Sequence, residues 1–161
     1  AAKKPGAKAP DRLACGCAGT QVRTLAQEEA GQDAPAQPGR LQNWPVQLQL
    51  VPVRAPYFDG CDLLIAADCT AYACGSFHAD FIRGHVPLIG CPKLDRADNE
   101  EKLTAILMEN NVRSITLARM EMPCCGGLEY AARQAVEASG KSIPMRVVTF
   151  MADGKLLPQD A

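Results

Sequence analysis

From residue 62 onward, short apolar runs alternate with amphipathic segments, and this alternation constrains the fold more than any other feature of the chain. Residues 62–68, 86–90, 112–120 and 145–151 have strand length and are rich in Val, Ile and Leu. Residues 70–83, 98–110 and 127–138 carry apolar side chains at helical spacing, with Leu103, Ile106 and Leu107 on one face and Leu128, Ala131, Ala132 and Ala135 on another. Strands that alternate with helices predict a parallel sheet with right-handed crossovers, a doubly wound, flavodoxin-like α/β fold with helices flanking the sheet. Residues 44–53, in which Val46, Leu48 and Leu50 alternate with glutamines, read as an additional half-buried strand. The expected sheet is mostly parallel, with about five strands.

Punctuation supports these assignments. Thr70 and the Asp98-Asn-Glu-Glu101 capping spacing mark helix starts, and Gly84 and Gly140 mark stops. Residues 1–14 mix Pro, Gly and Lys without periodicity and read as a flexible tail. Residues 15–161 form one expected domain, in which Thr20 could cap a short helix over 21–30, followed by a loop near 31–43.

The apolar runs share a second property: three of them end in cysteine. Cys69, Cys91 and the pair Cys124 and Cys125 each follow a predicted strand. Parallel strands lie ~4.8 Å apart with their carboxyl ends on one edge, so these thiols are expected to converge where α/β sheets bind ligands. Adjacent cysteines rarely bond to each other, because the small ring strains the disulfide. Cysteine thiolates are the standard ligands of iron–sulfur clusters, and an all-cysteine set gives no special signal for catalytic zinc. The metal-ligand candidates are Cys15, Cys17, Cys69, Cys74, Cys91, Cys124 and Cys125, with Cys15 and Cys17 the source of a fourth corner. Gly126 and Gly127 are candidate cofactor-binding positions, where a helix N-terminus would offer N–H groups to an anionic cluster. Cys61 precedes the strand that Cys69 follows and falls at the far edge. His78 and His85 read as ordinary packed or solvated histidines, although His78 lies one helical turn beyond Cys74.

Composition narrows the function classes. Seventeen basic and 18 acidic residues nearly cancel, and no basic stripe suggests nucleic-acid binding. No apolar run reaches the roughly 20 residues needed for a membrane span, and no secretory signal is visible, so a cytoplasmic location is expected. Eight cysteines in such a chain favour metal or redox chemistry over a disulfide scaffold. CxxC, Walker and GxGxxG motifs do not occur.

Cys15-Gly-Cys-Ala-Gly19, Trp44-Pro-Val-Gln-Leu48, Ala55-Pro-Tyr-Phe58, Ala67-Asp-Cys-Thr-Ala-Tyr-Ala73, Gly90-Cys-Pro-Lys-Leu-Asp95 and Pro123-Cys-Cys-Gly-Gly-Leu128 span most of residues 15–130. On these segments the chain resembles the C-terminal region of ferredoxin-type 4Fe-4S binding proteins of anaerobic bacteria. The resemblance implies an iron–sulfur protein of low-potential electron metabolism, with a redox partner such as a ferredoxin or an oxidoreductase. Relatives of that kind carry a two-cluster ferredoxin module ahead of this region, which the present sequence lacks. Cys61 and Cys74 are additional to the pattern, so two cubanes or one larger cluster stand beside a single 4Fe-4S cluster. The expected function is electron transfer, or small-molecule redox chemistry, at a cysteine-ligated cluster. The alternative is a thiol-based redox sensor or metal-handling module without a permanent cluster.

Overall fold

The structure is a computed structural model that describes residues 18–21, 23–26 and 35–158. Four strands, β1 (Asp62–Ala67), β2 (Val86–Gly90), β3 (Ser114–Met120) and β4 (Met145–Phe150), form an all-parallel sheet in the order β2-β1-β3-β4. This is the first part of the flavodoxin-like strand order, and the chain reverses direction across the sheet between β1 and β3. After Asp62 the central strand is apolar, and Leu63, Leu64, Ile65, Ala66 and Ala67 are all buried, as a strand covered on both faces requires.

Helices connect the strands. α1 (Thr70–Ala73) and a π-type turn over His78–Ile82 lie between β1 and β2. α2 (Asn99–Glu109) precedes β3, and α3 (Gly126–Ser139) precedes β4. α2 and α3 pack side by side. Right-handed crossovers place that pair on one face of the sheet and the β1–β2 connection on the other. Asp98 caps α2 by accepting from the Glu100 and Glu101 N–H groups, and Gly140 ends α3 at φ +67°. Lys141 Nζ donates to the carbonyls of Leu107 and Asn110 at 2.6 and 2.8 Å, which satisfies the last turn of α2 from the end of its neighbour.

Three expectations are corrected. The sheet has four strands, because residues 44–53 supply only a bridge from Gln47 to Ile89 before turning. Leu50 and Val51 N–H both donate to the Gln47 carbonyl. The buried residues there are Leu48 and Val51, three apart, while Leu50 is exposed, so the burial follows a turn and not a period of two. The helix expected over 70–83 is broken at Cys74, whose extended backbone (φ −99°, ψ 112°) and the following Gly75 interrupt the ladder. Phe77 and Phe81 are buried beyond that break, with Phe81 packed edge-on against Phe150 at 5.1 Å, whereas Tyr72 is exposed. Over 21–30, the described residues Gln21 and 23–26 are not helical; Leu25 is exposed, and a short helix without a packed face is marginal in water. The 1–14 tail lies outside the described residues.

At the amino edge of the sheet Asp62 takes hydrogen bonds from Arg113 and from Ser114 Oγ, the latter at 2.6 Å. The Arg113 and Ser114 hydrogen bonds hold its carboxyl down at about 2. A carboxylate depressed from its ordinary value near 3.9 contributes stability that is present above pH ~4 and is lost as pH falls through about 2. Asp62→Asn is therefore expected to lower the melting temperature at pH 7, with the gap from wild type closing as thermal scans are taken from pH 4 to pH 2. A gap that stays constant across that window would show that the pair does not act through the Asp62 charge.

Candidate functional site

The carboxyl edge is where the sequence concentrates its thiols. Cys69 sits in the turn that leaves β1 and is exposed. That turn is fastened from below by Thr70, fully buried, whose Oγ1 donates to the Ala67 carbonyl at 2.8 Å. Thr70 thus braces the turn, while Cys69 itself occupies the cap position.

Cys91 leaves β2 in the turn Gly90-Cys-Pro92, half-buried. The Asp95 carboxylate folds back to accept the Cys91 N–H at 2.9 Å, and the Asp95 N–H returns to the Cys91 carbonyl at 2.8 Å. Asn99, buried at the start of α2, donates to the same Asp95 oxygen at 2.9 Å and accepts from Gln49 at 2.5 Å. A Cβ on Gly90 would stand 3.0 Å from that oxygen, so the turn closes this tightly only around glycine.

Cys124 and Cys125 lie in a 3-10 turn, Pro123–Cys125, between β3 and α3. The two differ sharply. Cys124 is half-buried, while Cys125 is turned into the core. Burial pushes the Cys125 thiol up, opposed by a backbone hydrogen bond from Met120 and by the Arg119 charge. The Cys91 and Cys124 turns also touch: a Cβ on Gly127 would meet Pro92 at 3.1 Å, and one on Gly126 would come within 3.9 Å of the Arg119 guanidinium. Gly127 therefore gives its space to Pro92, whereas a side chain at Gly126 would make only ordinary contact.

The thiol of Cys69 is within electrostatic reach of the other two. Loss of hydration raises it most, and Cys91, the adjacent Asp68 carboxylate and Cys124 push in the same direction. Asp68 is itself raised by burial and by Asp95, opposed by a hydrogen bond from Gln47, and its Oδ1 is buried without a hydrogen-bond partner. Cys69 and Cys124 flank the point where the strand order reverses, which in α/β sheets opens the ligand crevice.

The remaining candidates fall elsewhere. Cys74 is buried at the end of α1, with its sulfur 3.7 Å from Ser76 Oγ. Cys61 is buried at the amino edge, where burial and the Asp62 charge push its thiol to about 11. Cys15 and Cys17 lie outside the described residues. The next turn, Ala18–Thr20, packs against Pro123–Cys125, and Arg23 Nη1 reaches Glu121 at 3.4 Å. His78 Nδ1 accepts the Arg40 N–H at 3.0 Å, and His85 Nδ1 lies 3.2 Å from the Arg83 carbonyl, an ordinary use for each. Met120 is buried and Met122 half-buried against the core.

Among the described residues, no three His, Cys, Asp or Glu side chains stand close enough to hold one metal ion. Thiolates around a single zinc are about 3.8 Å apart, given a Zn–S bond of about 2.3 Å. Cys69, Cys91 and Cys124 do not make that arrangement. The sequence did not flag Asp95, Asn99 and Arg119 as supports; the four-residue spacing of Cys91 and Asp95 is the one local signal that could have found the first.

Residues 55–161 match the Rossmann-like domain family. The chain belongs to that family. This Rossmann-like chain is also 29% identical over 119 residues to a protein of Archaeoglobus fulgidus described as an "Uncharacterized protein", an alignment covering 73% of this chain and 84% of the relative. No solved structure matches it. Among its described residues, no helix is long and apolar enough to cross a membrane.

The geometry predicts an order of thiol reactivity in this Rossmann-like domain. Under brief iodoacetamide treatment of the reduced chain, peptide mapping should find Cys69, Cys91 and Cys124 modified well before Cys61 and Cys125. Early modification of Cys125 would contradict its place in the core.

Proposed function

We propose that the chain is a redox protein that binds an iron–sulfur cluster, most simply a 4Fe-4S cubane, with Cys69, Cys91 and Cys124 as three of its ligands. The observation that carries this reading is geometric: Cys69, Cys91 and Cys124 follow three adjacent parallel strands at the same edge of the sheet, and the Cys91 and Cys124 turns touch. Each iron of a cubane takes its own cysteine, so the ligands spread wider than those of a mononuclear ion. A three-thiol group too open for one ion suits that demand. The resemblance to ferredoxin-type 4Fe-4S proteins points the same way.

Cys15 or Cys17 is the proposed fourth ligand, because the turn that follows them lies against the Cys124 turn. The burial of Cys125 and Cys74 favours one cubane over two clusters or a larger one. When bound, the cluster would supply one-electron transfer. The protein's own residues do the rest: Asp95 and Thr70 orient two ligand turns, and the α3 N-terminus at Gly126 and Gly127 lends its dipole to the anionic site. Exposed Tyr72 and Leu94, each three residues from a ligand, offer contact surface to a ferredoxin or an oxidoreductase as electron partner.

A second reading follows from the same sulfurs: with all six described cysteines free, the site could act as a thiol-based redox sensor or metal-handling module. Anaerobic reconstitution separates the two. The cluster reading predicts a coloured protein with roughly four iron and four sulfide per chain. Its reduced-state EPR signal should be altered or lost in Cys69→Ala, Cys91→Ala and Cys124→Ala, and unchanged in Cys61→Ala and Cys74→Ala. A colourless, iron-free chain with all eight thiols titratable would overturn it in favour of the sensor.

A further inference from the structure

We propose that Arg119 is the positioning residue of the cysteine turn, tying the strand exit, the turn and the following helix together from behind Cys124 and Cys125. Arg119 is the penultimate residue of β3, yet its side chain is largely buried. Its guanidinium makes three kinds of contact. Nη1 donates to Glu129 Oε2 at 2.7 Å, in the first turn of α3. Nε donates to the Met120 carbonyl at 3.2 Å, and Nη2 to the Met122 carbonyl at 3.5 Å. Glu129 is held in turn by Arg133, which donates to its other oxygen through Nε and Nη2 at 3.0 and 2.9 Å.

The planar fork is what this position uses. One group spans two main-chain carbonyls and a carboxylate, which a single ammonium cannot do in the same geometry. The guanidinium lies against the start of the helix: a Cβ on Gly126 would stand in ordinary contact with both terminal nitrogens, at 3.9 Å. The Met120 and Met122 carbonyls belong to the strand exit, and Glu129 belongs to the helix, so the contacts bracket residues 123–125 on both sides. A largely buried positive charge is thereby fixed within electrostatic reach of Cys125.

The role as a tie stands on these contacts alone; its meaning for a cluster rests on the function proposed above. In that setting the charge stabilises the more negative, reduced state of the cluster, and so raises its midpoint potential.

The experiment uses the full chain in two forms. In the reduced, iron-free chain, Cys125 in Arg119→Gln should be alkylated by iodoacetamide about tenfold faster than in wild type, the order expected when hydrogen bonds to a charged group are lost. Cys61, at the opposite edge, should keep its wild-type rate. Arg119→Lys and Glu129→Gln should accelerate Cys125 less, and they keep the test available if Arg119→Gln folds poorly. In the reconstituted chain, Arg119→Gln should lower the midpoint potential, while Arg119→Lys, which keeps the charge, stays near wild type. Cys125 labelling that is unchanged, or that rises in step with Cys61, overturns the tie. A wild-type chain that takes up no iron overturns the cluster reading and leaves the labelling result to decide the role of Arg119.

Discussion

Parallel pairing of β1 with both β2 and β3 is the constraint on which the rest of the structure depends. Its register sets Ala67 against Gly90 and Ala66 against Ala118, so the three chains leave the sheet side by side. Because parallel strands need covered faces, the same pairing forces the crossovers that wrap the sheet and makes the central strand apolar at every buried position. The thiols at the strand ends are then neighbours by topology, although Cys69 and Cys124 are separated by more than fifty residues of chain.

Topology brings the exits together, and polar contacts decide how each one ends. Thr70 closes the first turn on the Ala67 carbonyl, and Asp95 with Asn99 closes the second on Cys91. Arg119 with Glu129 closes the third. Each brace is buried or half-buried, where a satisfied hydrogen bond is worth more than at the surface, and the Asp95 and Arg119 braces involve charged groups. Asp68 is the exception: its Oδ1, next to Cys69 in the chain, is buried without a hydrogen-bond partner. With the Pro92 and Gly127 contact joining two of the turns, the edge is built as a connected rim.

Much of this was legible in the sequence. The doubly wound fold follows from apolar runs covered on both faces, and the caps at Asp98 and Gly140 mark α2 and α3 where the structure has them. The failures have a common cause. In residues 44–53 and 70–83, the pattern matched a strand and a helix, but single positions broke the ladder: the turn at Gln47 in one, the extended Cys74 before Gly75 in the other. The difference between Cys124 and Cys125 depends on the rotation of a 3-10 turn, which adjacent identical residues cannot reveal. Nothing in the sequence marks Arg119, and only the fold shows the carbonyls and the carboxylate it faces.

The central claim is that three strand exits share one cluster at the carboxyl edge. Anaerobic crystals of the iron-loaded chain, measured at the iron absorption edge, would test it most directly. The account predicts anomalous density in the crevice bounded by Cys69, Cys91 and Cys124. Density centred on Cys61 or Cys74, or no iron at this edge in crystals of a protein that contains iron, would contradict it.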